Sequence, residues 1–329
     1  MDASRRSHKQ FSVVISTRDR GGEVVSAAQS VLADQGCDLE LIIIDQSSTL
    51  TTADAVHRSG LLRDPRVLYR KVASVGVCRG RNEGTRLASG DVIAYTDDDC
   101  LVSENWASRI LHRFRTMPDL AIWFGSIVAP SDHIDGWIFQ FHPSQEGLVR
   151  PPFDFTRSPG SEANYAVRGS VFPRIGYLDE CLTSSEGSDF GYRAWLAHLP
   201  IYVGSEPAVV HCGARHGQDV QRAIGGYLRG FGLMAMKHVR AGDVYALGSL
   251  FWEAGRHGRE GVRQALHRQR PVSFRALITL LGGAVSSFQY DVDTGNRLYQ
   301  RRSHGRVALS AARGRTAFRS ARRTSRWGV

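Results

Sequence analysis

Cysteine is scarce in this chain of 329 residues: Cys37, Cys78, Cys100, Cys181 and Cys212 are odd in number and never spaced as CxxC. Neither a disulfide framework nor a zinc ribbon is supported, and a reducing cytosol is the expected compartment. Long apolar runs are lacking too. Residues 1–10 are polar and basic, and the run that follows at 13–15 is far too short for a secretory core. The longest apolar stretch, 276–285, is broken by Gly282 and Gly283 and falls short of the roughly 20 residues a spanning helix needs, so no integral membrane segment is expected. A glycine-rich dinucleotide turn is also missing. The first expected strand runs into Ser16-Thr17-Arg18-Asp19-Arg20-Gly21-Gly22 without GxGxxG, which argues against a dinucleotide oxidoreductase. After Asp293 there is no acid and no lysine, but ten arginines, enough to account for the whole formal net charge of +10.

What is present is ordinary for a packed domain. Hydrophobic residues make up 42% and charged residues 22%, so a sizeable core is expected and global disorder is not. The length exceeds a single typical core. Short apolar runs at 11–17, 39–45, 67–72 and 92–96 alternate with helix-patterned segments, the mark of strand–helix–strand units and a mostly parallel sheet. Trp106, Ile110 and Phe114 predict an amphipathic helix closed by Pro118, and 121–129 reads as one further strand. The stretch 130–160, rich in Pro, Gly, Asp and His, reads as an irregular insertion. Strands are expected again at 163–167, 201–203 and 208–210, and helices at 186–198 and 220–239. The expected division is a polar segment 1–10, an α/β domain 11–215 in two halves, 11–100 and 101–215, a helical extension 216–293, and an Arg-rich tail 294–329.

Ligands of open sheets collect at the carboxyl ends of strands, where Asp45, Asp97-Asp98-Asp99 and His211 fall. Three adjacent carboxylates repel one another unless a cation or a donor cluster balances them. On an extended backbone Asp97 and Asp99 would share a face and Asp98 would point away. Two such oxygen ligands suit Mg²⁺ or Mn²⁺; a solvated acidic turn is the plainer reading.

The order Val14-Ile15-Ser16-Thr17-Arg18, Ile42-Ile43-Ile44-Asp45-Gln46-Ser47-Ser48, Gly80-Arg81-Asn82-Glu83-Gly84 and Ala94-Tyr95-Thr96-Asp97-Asp98-Asp99 resembles the family 2 glycosyltransferases of the GT-A fold, over roughly residues 11 to 215. The resemblance implies a GT-A type fold, with 11–100 as its nucleotide-binding half and 101–215 as its acceptor half, and transfer of a sugar from a nucleotide-diphospho-sugar donor to an acceptor hydroxyl, with inversion and a divalent cation, Mn²⁺ or Mg²⁺. It implies donor contacts from Thr17, Arg18, Asp45, Arg81, Asn82, Asp97 and Asp98, metal ligation by Asp99 and His211, and an acceptor-side strand carrying Glu162, Asn164 and Arg168, of which Asn164 is the residue selected. Thr17 could cap a helix, Asp45 initiate a turn with Ser47, Arg81 form a surface salt bridge, and His211 bond a backbone carbonyl.

Where family members carry Glu-Asp-x-Asp, this chain reads Glu186-Gly187-Ser188-Asp189, so the usual base is replaced by Gly187. Glu186 is the preferred base, with Asp189 positioning the acceptor; alternatively Asp189 pairs with Arg193 four positions on. The arginines of the tail, interleaved with Val307, Leu309, Phe318 and Trp327, fit an anionic membrane surface and a glycan or lipid-linked acceptor, giving a cytoplasmic, peripheral location. A solvated disordered tail is the plainer alternative. No folded nucleic-acid recognition motif accompanies it. A catalytically degenerate domain that only binds membrane or polyanion is the competing reading, kept open by Gly187.

Overall fold

Alternating aliphatic side chains dictate how the first half is layered. In the computed structural model, which describes residues 8–131, 136–143, 145–150, 162–267, 270 and 272–302, β1 (Lys9–Thr17), β2 (Leu39–Asp45), β3 (Val67–Lys71) and β4 (Gly90–Thr96) are linked by α1 (Gly21–Leu32), α2 (Thr51–Arg58) and α3 (Val77–Leu87). These four strands are parallel neighbours in the order β3-β2-β1-β4. Every residue of β2 is buried, because successive side chains face opposite layers. Val13, Ile15, Leu41 and Ile43 enter a core with Val24, Ala28 and Val31 of α1, while Val14, Ile42 and Ile44 enter a second core on the other face.

Beyond β4 come β5 (Cys100–Val102), α4 (Trp106–Thr116), β6 (Ile122–Phe124), β7 (Ile127–Val128), β8 (Gly147–Leu148), β9 (Asn164–Arg168), α5 (Phe172–Ile175), α6 (Glu186–Leu196), β10 (Ile201–Val203) and β11 (Val209–His211). The main sheet has eight strands, β3-β2-β1-β4-β9-β6-β10-β8, and β5-β11-β7 form a small second sheet. The single strand expected over 121–129 is two. At Gly125-Ser126 the chain leaves the main sheet for the small one, and Asn164 secures the crossing: its backbone oxygen accepts from Gly125 N at 2.9 Å and its Nδ2 donates to Ser126 O at 2.8 Å. Of the expected insertion 130–160, residues 132–135, 144 and 151–160 lie outside the described residues.

The remaining chain forms α7 (Gly217–Arg240), α8 (Val244–Leu266), α9 (Val272–Ser286) and a hairpin of β12 (Tyr290–Asp293) and β13 (Leu298–Arg301). Asp243 caps α8, accepting from Tyr245 N and Ala246 N at 3.0 and 3.1 Å. The hairpin corrects the expected boundary at 293/294, which would cut it in two. It is tied down because Tyr299 N donates to Asp179 Oδ2 at 2.9 Å and its hydroxyl to Leu233 O at 2.6 Å. Residues 303–329, most of the Arg-rich tail, and residues 1–7 lie outside the described residues.

Candidate active site

Parallel pairing sets Thr17 opposite Asp45 and brings the end of β4 alongside them, so the strand ends share one rim. The acidic triplet at that rim turns rather than extends, which corrects the expected alternation. Asp98 is the most enclosed of the three. It accepts from Thr17 Oγ1 at 2.7 Å and from Arg20 Nη1 at 2.9 Å. Burial pushes its carboxyl up to about 6 against the pull of Arg20 and Thr17. Thr17 and Asp98 thus pair with each other instead of opening toward a donor.

Asp99 follows, and the small sheet brings His211 to it. β11 runs antiparallel to β5 with His211 opposite Cys100, and Cys212 N donates to Asp99 O at 2.8 Å. His211 Nε2 lies 3.4 Å from Asp99 Oδ1, and Arg20 Nη1 lies 2.8 Å from Asp99 Oδ2. Burial opposes ionisation of Asp99, yet the hydrogen bond from His211 and the charge of Arg20 outweigh it and hold this carboxyl below its ordinary value. Ligand atoms of Asp99, Cys100 and His211 lie within 4.8 Å of one another. Burial keeps the Cys100 thiol protonated, and a hard ion favours oxygen and imidazole over sulfur, leaving Asp99 and His211 as the ligand pair. Gly213 is required beside them: a Cβ there would overlap the Asp99 carboxylate and stand 3.4 Å from His211 Nε2. A divalent cation fits this donor set, and His211 Nδ1 is buried without a hydrogen-bond partner.

A second acid group gathers around Arg81 of α3. The buried guanidinium meets Asp97 Oδ1 at 2.6 Å and Glu186 Oε1 at 3.2 Å, so Arg81 is salt-bridged, but inside the protein and not in the surface pair the sequence left open. Burial and the neighbouring Glu162 carboxylate push Glu186 up to about 7, against Arg81. Glu162 lies between this group and the N-terminus of α6, accepting from Gly187 N at 2.9 Å. A Cβ on Gly187 would stand 2.5 Å from Glu162 Cγ and 2.9 Å from its Cδ and Oε1. The Glu162 carboxylate therefore fills the space that a side chain at 187 would take.

Several expected site residues are instead structural. Asp189 is fully buried: Lys237 Nζ at 2.6 Å, His238 Nε2 at 2.9 Å and Arg193 Nε at 2.9 Å surround it. Burial alone would raise its carboxyl, but Lys237, Arg193 and His238 hold it far below the usual range. It cannot meet an acceptor, and its pairing with Arg193 is the alternative the sequence left open. Asn82 is buried and binds Leu178 O and Glu180 Oε1 at 2.9 and 3.0 Å, fastening the loop before α6 rather than a donor. Asn164, also buried, accepts from Trp106 Nε1 at 2.9 Å and donates to Ser126 O and Pro207 O. Asp45 stands at the rim with its carboxylate turned inward, accepting from Ser47 N at 2.8 Å and from the Tyr69 hydroxyl. Arg18 is exposed at the same rim. Residues that the sequence reading passed over are Arg20, which spans Asp98 and Asp99, and Glu162. Arg20 also lines a cleft of about 540 Å³ together with Thr183, Ser184, Arg215, His216 and Tyr227.

Residues 12–163 match the family model described as "Glycosyl transferase family 2". An uncharacterized glycosyltransferase of Haemophilus influenzae is 22% identical over 198 residues, covering 55% of this chain and 60% of that one. A validoxylamine A glucosyltransferase of Streptomyces hygroscopicus subsp. jinggangensis is 25% identical over 228 residues, 60% of this chain and 54% of its own length. The chain spans about half the length of the curated relatives it matches. The mannosyltransferase PcManGT from Pyrobaculum calidifontis, solved with GDP-Man and Mn²⁺, superposes with a TM-score of 0.57 at 14% identity, covering 86% of this chain and 88% of its own. That likeness shows the GT-A fold. With its sheet order, its acidic rim and the match over residues 12–163, this part of the chain is similar to glycosyl transferase family 2.

Proposed function

We propose that this protein transfers a sugar from a nucleotide-diphospho-sugar donor to an acceptor hydroxyl, with inversion and with a divalent cation, Mn²⁺ or Mg²⁺, held by Asp99 and His211. The observation that carries this reading is the Asp99–His211 pair, brought to 3.4 Å by the β5–β11 pairing of the small sheet beside Gly213. The Pyrobaculum mannosyltransferase, solved with GDP-Man and Mn²⁺, supports the same donor class. When bound, the cation would stabilise the negative charge that grows on the departing diphosphate. Arg20, 45% exposed at its side chain and ion-paired to Asp98 and Asp99, would be available to meet phosphate were a cation to replace it at Asp99. Arg18 stands beside it at the rim. Asp97, partly exposed and fixed by Arg81, faces the donor side with one carboxylate oxygen unused by that bond.

An acceptor alcohol needs a base within hydrogen-bond reach. Glu186 is the residue the sequence favours, but it is buried and engaged by Arg81. Glu162 is less buried and is held at the first turn of α6 by the Gly187 N–H. We assign the base to Glu162 and a positioning role to Glu186; the acceptor O–H proton passes to Glu162 as its oxygen bonds the anomeric carbon and the nucleoside diphosphate leaves. With Glu162 filling the space over Gly187, the degenerate reading loses the feature that motivated it. The acceptor is a glycan or lipid-linked glycan, and the protein works peripherally at the inner face of the membrane.

The test compares donor hydrolysis and transfer with Mn²⁺ in the parent and in Asp99→Ala. A loss of about 100-fold or more, roughly 2.7 kcal/mol, is expected; equal turnover would reject the cation assignment.

A further inference from the structure

Helix α8 is built in two halves. Ala246, Leu250, Glu253 and Gly261 are buried against the bundle. On the opposite side Val244, Phe251, Trp252, Val262 and Leu266 are 80, 69, 63, 51 and 77% exposed. With Gly248, Gly255 and Arg259 these positions recur at spacings of three and four, which places them on one helical face about six turns long. Its neighbour α9 repeats the pattern. Leu280, Gly283 and Ala284 are buried, whereas Ile278, Val285 and Phe288, the last just beyond the helix, are 70, 68 and 55% exposed. Singly exposed apolar residues are commonplace, but two adjoining helices that each present such a stripe form a surface that calls for a covering.

Charge selects the covering. From Gly261 to Arg302 there are seven arginines against two acids, Asp291 and Asp293. On α8 itself the two acids are already paired, Glu253 with Arg256 at 2.6 Å and Glu260 with Arg263 at 2.8 Å, and Arg259 lies over the Trp252 ring at 5.7 Å. The partner must therefore be anionic and apolar at once. A second copy of the chain would bring a like charge. Residues 303–329 would bring seven more arginines and no acid onto an already basic surface. Nucleic acid would answer the charge but leave Val244, Val262, Leu266 and Ile278 without a matching surface.

We propose that the outer face of α8 and α9 docks in the headgroup region of an anionic lipid bilayer, with its aromatic and aliphatic side chains inserted and its arginines at the phosphates. The segment Val272–Gln289, with mean hydropathy 1.2 over 18 residues, is long and apolar enough to cross a membrane. Its buried residues, however, pack within the helical bundle: α9 contacts both α7 and α8, and α8 carries Glu253, Arg256, Arg259, Glu260 and Arg263 along its length. Both helices therefore lie on the surface rather than span it. This docking is independent of the sugar-transfer reading, because vesicle binding reports it without any turnover.

The test is flotation of the full chain with mixed phosphatidylglycerol/phosphatidylcholine vesicles and with phosphatidylcholine vesicles alone. It uses the parent, a Phe251→Ser/Trp252→Ser/Leu266→Ser variant with an unchanged melting temperature, and a chain ending at Arg302. The parent is expected to float with the anionic vesicles, less so at high salt; the triple variant binds at least about tenfold more weakly, and the shortened chain still floats. The proposal is overturned by parent and triple variant binding alike, by a parent that ignores anionic vesicles, or by binding lost only on shortening. A parent that dimerises through this face without binding vesicles, and becomes monomeric in the triple variant, overturns it as well.

Discussion

Two acidic clusters lie within reach of α6, and they are balanced in opposite ways. Around Asp189 the charges close on themselves: Asp179 and Asp189 face Lys237 and Arg193, with His238 completing the shell. At the rim, Asp97, Asp98, Asp99, Glu162 and Glu186 are served by two guanidiniums, those of Arg20 and Arg81. A closed, neutral cluster holds a fold together; a partly open one with surplus negative charge is stable only where solvent or a cation supplies the difference. Sequence position alone does not separate them, since Glu186 and Asp189 are three residues apart on one helix.

The contrast is tested most severely at Glu162. Glu162→Gln should lower kcat by about 10²- to 10⁴-fold, the usual worth of a general base, with the melting temperature little changed. Steady-state kinetics with a competent donor read this, and Gly187→Asp combined with Glu162→Ala should restore part of the loss. If Glu162→Gln turns over like the parent while Glu186→Gln does not, the base is Glu186 after all.

Lys237→Met breaks the closed cluster. Removing one partner of a buried ion network leaves an uncompensated charge, so unfolding in urea should show a loss of about 3–5 kcal/mol. A loss below about 1 kcal/mol would mean that the cage is not holding the fold.

A smaller effect belongs to Glu186, whose carboxyl is raised from 4.5 to about 7. The folded state then holds a proton that the unfolded chain releases, so this group's contribution to stability is present below about pH 4.5 and is lost as the pH rises through 7. Glu186→Gln should therefore raise the melting temperature relative to the parent by a few degrees more at pH 8 than at pH 5, measured by calorimetry. A difference of the opposite sign would contradict the placement of Glu186 beside Glu162.

These clusters also mark the limit of what the sequence discloses. The bounds of β2 are those read from its largely aliphatic run, because a strand covered on both faces declares itself by composition. β6 and β7 were expected as one strand because nothing local to 121–129 announces a change of sheet; the partner that fixes it, Asn164, lies far along the chain. The same holds at the site. Asp99 and His211 could be anticipated from strand ends and motif order, whereas Asn82, Asn164 and Asp189 carry the right letters but spend their side chains on distant backbone and cations. Glu162 was passed over because its significance lies in the absence of a Cβ on Gly187.

The central claim is that the surplus charge at the rim is completed by a divalent cation at Asp99 and His211. Titration of Mn²⁺ followed by electron paramagnetic resonance, with a nucleoside diphosphate present, measures this directly in the parent, in Asp99→Ala and in His211→Ala. One tightly held Mn²⁺ per parent chain, weakened about tenfold or more in each variant, is the predicted result; a parent that binds no more Mn²⁺ than either variant would contradict the account.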